Sequence, residues 1–331
     1  VALGGLVVLV AIVLVARDGG TRGGAGRPAS VSTNRALKEI ARPVRAPHVA
    51  VVQTGVLPAP VQDAAAAVVG PGSFLLMGGI DAAEASVADI LRASPSGATR
   101  VGALPSALHD ASASFLGGSA YLFGGGVVES FSAITRVSPA TGAAESAGHL
   151  PTPASDVASA TIAGIVYIVG GYTGQTPLHT ILAWRPGESA RVVARLPKPL
   201  RYAAIAALNG VLYIAGGTSG EAASRDVYRF YPREGRLQRI GTLPVGLTHA
   251  AAAALGDSVY VFGGRSAAAN GQTRRILEIW PDGVVHEVGL LPRPLSDMAA
   301  VALGGRVVLA GGRDSAGAAQ DTILTASVGA G

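Results

Sequence analysis

Any chemistry in this chain rests on a short set of side chains. Six histidines stand at positions 48, 109, 149, 179, 249 and 286, and there is no cysteine. No two histidines have a metal-ligand spacing such as His-Glu-x-x-His. Without cysteine neither a thiolate metal site nor a disulfide can form, so no metal and no cofactor are expected. A Gly-x-Ser-x-Gly nucleophile elbow is missing as well. The glycine pairs raise another chemistry. In "GIVYIVGGYTGQT", residues 164–176, Gly170-Gly171 follows an apolar run as a phosphate loop would. A phosphate loop would continue into Gly-Lys-Ser/Thr and a helix; the next residues are Tyr172, Thr173, Gly174 and Gln175. The pair is therefore assigned to the backbone.

Recurrence supports that assignment. Glycine pairs begin at Gly78, Gly124, Gly170, Gly216, Gly263 and Gly311, at steps of 46, 46, 46, 47 and 48 residues. A second marker, Leu-Pro, begins at Leu57, Leu104, Leu150, Leu196, Leu243 and Leu291 and keeps the same phase. Between the markers lie two short apolar runs joined by a turn pair such as Asn209-Gly210 or Gly256-Asp257, which suit tight hairpins. After each glycine pair come a polar loop, a third run such as "DVYRFYP", a second turn, and a fourth run such as "RLQRIGTLP". Four strands per unit of this length predict the blade of a β-propeller.

These residues resemble the kelch-repeat family, with blades like those of bacterial kelch proteins and of the central domain of galactose oxidase. The likeness rests on the Tyr-x-x-Gly-Gly endings of "VYIVGG", "LYIAGG" and "VYVFGG" and on the Leu-Pro before each unit. It covers about residues 48 to 328 and implies an all-β, six-bladed propeller with four antiparallel strands per blade. The sixth unit ends at "DTILTASV" without a fourth strand, while "PHVAVVQTGVLP" precedes the first unit as an isolated one. Residues 48–56 are therefore expected to complete the last blade and to cover an otherwise sticky edge. Copper oxidases with kelch blades need a cysteine cross-linked to tyrosine, which this chain cannot supply.

The chain has 331 residues, 49% hydrophobic and 14% charged, with a net charge of +5. Residues 1–45 carry seven basic groups and two acids, which is all of that excess; the rest holds 19 of each sign. No clustered Lys/Arg surface for nucleic acid is expected on the propeller. Val1 to Ala16 is free of charge. An uncleaved anchor, a signal-peptide core and part of a longer span all fit it. The anchor is adopted because Leu14-Val15-Ala16 makes a poor cleavage site. The organisation read is a transmembrane helix at 1–16, a flexible basic stalk at 17–45 and a propeller at 46–331. The basic stalk argues for a cytoplasmic side, whereas a lone propeller behind an N-terminal anchor argues for export. The extracytoplasmic side is adopted.

Superimposing the repeats gives two polar columns before the Ala-rich first strands. Five residues after each Leu stand Gln62, His109, Ser155, Arg201, Thr248 and Ser296; next come Asp63, Asp110, Asp156, Tyr202, His249 and Asp297. The resemblance places both columns at one mouth of the central channel, with Tyr172, Arg265 and Arg313 from the loops after the glycine pairs. The repeated aspartates suit turn capping, while the varied first column suits recognition. The candidate ligand-binding set is therefore that first column with Asp110, Tyr202, His249, Tyr172, Arg265 and Arg313. The leading reading is a membrane-tethered, non-enzymatic module binding a peptide, protein or glycan. Arg201→Ala and Arg265→Ala are expected to weaken capture without loss of stability. One alternative is a sugar epimerase or mutarotase using His109 with Asp110, or His249 with Arg201. Another is the sensor domain of a larger receptor.

Overall fold

The computed structural model describes residues 48–220, 222–267 and 271–329. The expected anchor and the whole of the expected stalk lie outside these residues. Among the described residues there is no α-helix, and hence none long and apolar enough to cross a membrane.

Among the described residues, six four-stranded antiparallel sheets form the blades, with three two-stranded ribbons beside them. Five are continuous in sequence, over residues 65–103, 109–149, 158–195, 204–242 and 251–290. The sixth combines Ala299–Leu303, Arg306–Ala310 and Thr322–Val328 with the N-terminal Val49–Val56. Val49 pairs with Val328 and Val56 with Thr322, so the expected closure is present. A further feature marks Val49–Val56 as a true fourth strand. Every fourth strand carries a register shift against its third strand at an equivalent place, such as Ile90/Leu91, Ile134/Thr135 and Val227/Tyr228. The N-terminal strand has the same bulge, between Gln53 and Gly55. Bulges of this kind increase twist, which a blade needs between its inner and outer edges.

The first strands lie side by side around the channel, each touching the first strands of both neighbouring blades. Alanine at positions such as Ala204, Ala206, Ala251 and Ala253 lets six strands crowd towards one axis. The core is the set of layers between adjacent blades. Trp184 of the third blade, for instance, packs edge-on against Tyr121 and Phe123 of the second, with centroids 4.8 and 5.3 Å away.

The glycine pairs latch one blade to the next. Gly171 N–H donates to Leu200 O at 2.9 Å, and Leu200 lies in the crossing that enters the following blade. Gly170 has φ +62 and Gly171 +110, and a Cβ on either would collide with backbone carbonyl oxygens, of Leu200 and Ser155 respectively. The equivalent bond recurs in all six copies at 2.8–2.9 Å, ending with Gly312 N–H to Val61 O across the closure. With its amide engaged by Leu200, Gly171 has none left for a phosphate.

Candidate functional site at the channel mouth

The second polar column forms a closed circle. Asp63 N–H donates to Asp297 O, Asp110 to Asp63, Asp156 to Asp110, Tyr202 to Asp156, His249 to Tyr202 and Asp297 to His249, at 2.8–3.3 Å. All six residues are left-handed, with φ between +54° and +59°. Asp and His tolerate this region better than most side chains, which gives the repeated aspartates a backbone reason to be there. Their side chains wall a cavity of about 120 Å³ on the axis.

The first column sits one residue earlier. Each of its members pairs with the first residue after a glycine pair: Gln62 with Ile80, His109 with Gly126, Ser155 with Tyr172, Arg201 with Thr218, Thr248 with Arg265 and Ser296 with Arg313. The structure thus brings Tyr172, Arg265 and Arg313 to the mouth beside the columns. It does not present every side chain there. Gln62 and Ser296 are buried, at 2% and 0% exposure, and they can reach a ligand only through their neighbours.

Two arginines are held in place. Arg201 Nε lies 2.5 Å from Asp156 Oδ2, its Nη2 donates to Tyr202 Oη at 3.2 Å, and its guanidinium lies 4.1 Å from the Tyr172 ring centre. Arg265 Nη2 donates to Asp297 Oδ2 at 2.6 Å and its Nε to Ser296 Oγ at 3.3 Å; Ser296 Oγ also donates to Asp297. Asp156 and Asp297 have almost no exposed side chain. Removing either arginine leaves a buried carboxylate without its counter-charge. The expectation that Arg201→Ala and Arg265→Ala spare stability is therefore corrected: both should destabilise.

The remaining groups complete the wall. Tyr202 Oη donates to Asp110 Oδ2 at 3.1 Å, and its ring stacks on His249 at 3.6 Å. Thr248 Oγ1 and His249 Nδ1 are 3.1 Å apart. Burial, reinforced by Arg265 and Arg201, pushes the His249 imidazole down to about 4 against the pull of Asp297. His109 Nδ1 bonds Ser86 Oγ at 2.8 Å while its Nε2 lies 3.6 Å from Asp110 Oδ2; burial lowers its pKa too. Burial and then the neighbouring carboxylates raise Asp63 and Asp110 well above the ordinary range. Ser155 takes a bond from Ser130 Oγ at 3.2 Å, and Arg313 Nη2 is 3.7 Å from Glu84.

Asp63, Asp156 and Asp297, which the sequence reading left to turn capping, supply three of the floor's four carboxyl groups. Their signal was the column itself: four acids in one register of six copies. Ser86 had no repeat-phased signal and came to the site only through the fold.

The Kelch motif model matches residues 153–189 and 199–236, the third and fourth units. The chain carries kelch motifs. Among solved structures, YjhT resembles this kelch propeller over 82% of this chain and 96% of its own, at a TM-score of 0.73 and 14% identity. A likeness at that identity shows the fold. No curated protein matches the chain at a significant level.

Proposed function

We propose that this kelch propeller is a binding module whose channel mouth takes a peptide, protein or glycan, tethered to a membrane through residues 1–16 with the propeller on the extracytoplasmic side. Arg201 carries the reading. Its guanidinium is fixed between the Tyr172 and Tyr202 rings and anchored on Asp156, yet the side chain remains 23% exposed at the mouth. A preorganised guanidinium loses little freedom on meeting an acceptor. Arg265 and Arg313, 35% and 29% exposed, extend the same polar surface over the next two blades. The 16-residue uncharged stretch supports the tether.

The test is a screen of peptide and glycan arrays with the purified protein. Ligands found should be lost in Arg313→Ala and in Arg265→Lys, variants chosen to disturb the buried acids least. Retention of every ligand by both variants would remove the mouth from consideration. An enzymatic reading has one specific observation in its favour. Ser86 holds His109 with Nε2 towards the mouth, and burial keeps that imidazole neutral and thus able to accept a proton. Anomer exchange of free sugars followed by NMR would reveal it, as a rate above background that His109→Gln abolishes.

A further inference from the structure

The fourth strands stand at the rim of the propeller, one on the outer edge of each blade. Among the described residues each is paired on one side only, so backbone N–H and C=O groups along its other side face outward without a strand partner. Such edges invite another strand, and charged side chains are a common guard against it. Five of the six carry a guard: Gly97–Ala103 has Arg100, Ala144–His149 has Glu145, Arg191–Arg195 begins and ends on arginine, Arg236–Thr242 has Arg239, and Val285–Leu290 has Glu287. The sixth, Val49–Val56, reads VAVVQTGV and holds no ionisable residue.

This strand is open in its side chains as well as its backbone. Val52 and Val56 are 58% and 52% exposed, and Ala50, Gln53 and Thr54 beside them are exposed too. The bulge between Gln53 and Gly55 leaves Val49–Gln53 as a regular stretch. Leu290, 50% exposed, follows Gly289, which packs against Val49. The apolar strip therefore continues from one outer strand onto the next.

The absence of charge decides which partner fits. When a twofold axis makes an antiparallel pair, a strand meets its own copy, and every charge it carries returns on the other side of the ribbon. Like charges opposed across strands are destabilising. Arg191–Arg195 would set its two arginines against the same two. Among the described fourth strands, only Val49–Val56 meets itself with no charge opposed.

We propose that this edge joins two copies of the chain: Val49–Val56 of one pairs antiparallel with Val49–Val56 of the other, and two four-stranded blades merge into one continuous sheet. The inference is independent of the ligand reading of the mouth. Ala299–Leu303 starts at the mouth, and three antiparallel pairings lead from it to Val49–Val56, which therefore runs towards the mouth. The twofold axis thus turns the two mouths in opposite directions, and contact at the rim leaves both open. Residues 17–48, at up to about 3.3 Å each, are long enough for one membrane to hold both copies. A ribbon this short makes a weak interface, so association depends on concentration.

The full chain in mild detergent, followed by sedimentation velocity, should pass from monomer to dimer as its concentration rises through the micromolar range. Val52→Lys puts a charge on the exposed edge of both copies and should weaken the dimer about fivefold or more, with an unchanged melting temperature. Gln53→Lys serves if that variant does not fold. The chain has no cysteine, so Ala50→Cys, Val52→Cys and Gln53→Cys each supply a single thiol. On oxidation at least one should give a disulfide-linked dimer faster than Gln238→Cys, an exposed position on the outer strand of the fourth blade. A monomer throughout the range, equal association of the parent and the lysine variants, or equally fast cross-linking from Gln238→Cys would overturn the inference. Capture of an extended peptide by this edge in a monomeric parent would give the edge to another partner and overturn it as well.

Discussion

Asp63 and Asp110 make the mouth's cost to stability measurable. Burial and neighbouring carboxylates keep them protonated well above about pH 4, where an unfolded chain ionises its aspartates. Over that interval the folded state binds the extra protons. The stability they contribute is therefore full below about pH 4 and is lost as pH rises through their folded values. Asp63→Asn and Asp110→Asn should flatten the parent's loss of melting temperature as pH rises above about 4. An unchanged profile would place their titration in the ordinary range. His249 works in the opposite sense. Its imidazole is held down to about 4, so the stability it contributes is lost as pH falls from about 6.5 towards that value. Arg201→Ala should cost roughly 3 kcal/mol, the lower end for breaking a buried pair, because the arginine itself reaches solvent. Urea denaturation at neutral pH measures that loss.

The glycine pairs and the Leu-Pro crossings sew neighbouring blades together, and their substitutions should separate by place. Gly171→Ala meets both a left-handed φ and the Ser155 carbonyl. Gly187→Ala, at φ +81 with nothing within 4 Å of its Cβ, meets only the backbone preference. The first should cost several kcal/mol and the second about 1 kcal/mol, read from chemical denaturation midpoints. The architecture was legible in the sequence because each blade repeats the same backbone problem at the same step. Glycine pairs, hairpin turns and buried leucines are local solutions, so they keep phase. One such signal went unread. Five of the six crossings are Gly-x-Leu-Pro, beginning at Gly55, Gly102, Gly148, Gly241 and Gly289, and the glycine follows the bulge of the fourth strand. At Gly102 and Gly241 a Cβ would strike the third-to-fourth-strand turn of the next blade, at Gly142 and Gly283. The pairing of Arg201 with Asp156 and of Arg265 with Asp297 was not legible. Those partners lie 45 and 32 residues apart, and only the docking of neighbouring blades fixes their distance.

Because the last blade borrows its outer strand from the start of the domain, the ring as a whole depends on Val49–Val56. Removal of residues 1–45 should leave a soluble, folded propeller, whereas removal of residues 1–57 exposes the edge of Thr322–Val328 and should aggregate. Size-exclusion chromatography of the two proteins decides it, and equal behaviour would mean that this strand is dispensable. The same pairing sets a timetable during synthesis. Thr54 and its hydrogen-bond partner Thr325 are 271 residues apart. At about 5–20 residues per second, a ribosome takes some tens of seconds to deliver the second after the first. For most of that interval the segment that will seal the molecule is outside the ribosome, apolar on one face and without a mate. The five continuous blades can assemble in order as they emerge, but the first strand made is the last to be placed. A nascent chain stalled before residue 322 would hold five finished blades and a loose leading strand, the form in which this protein is most open to proteases and to pairing with another copy.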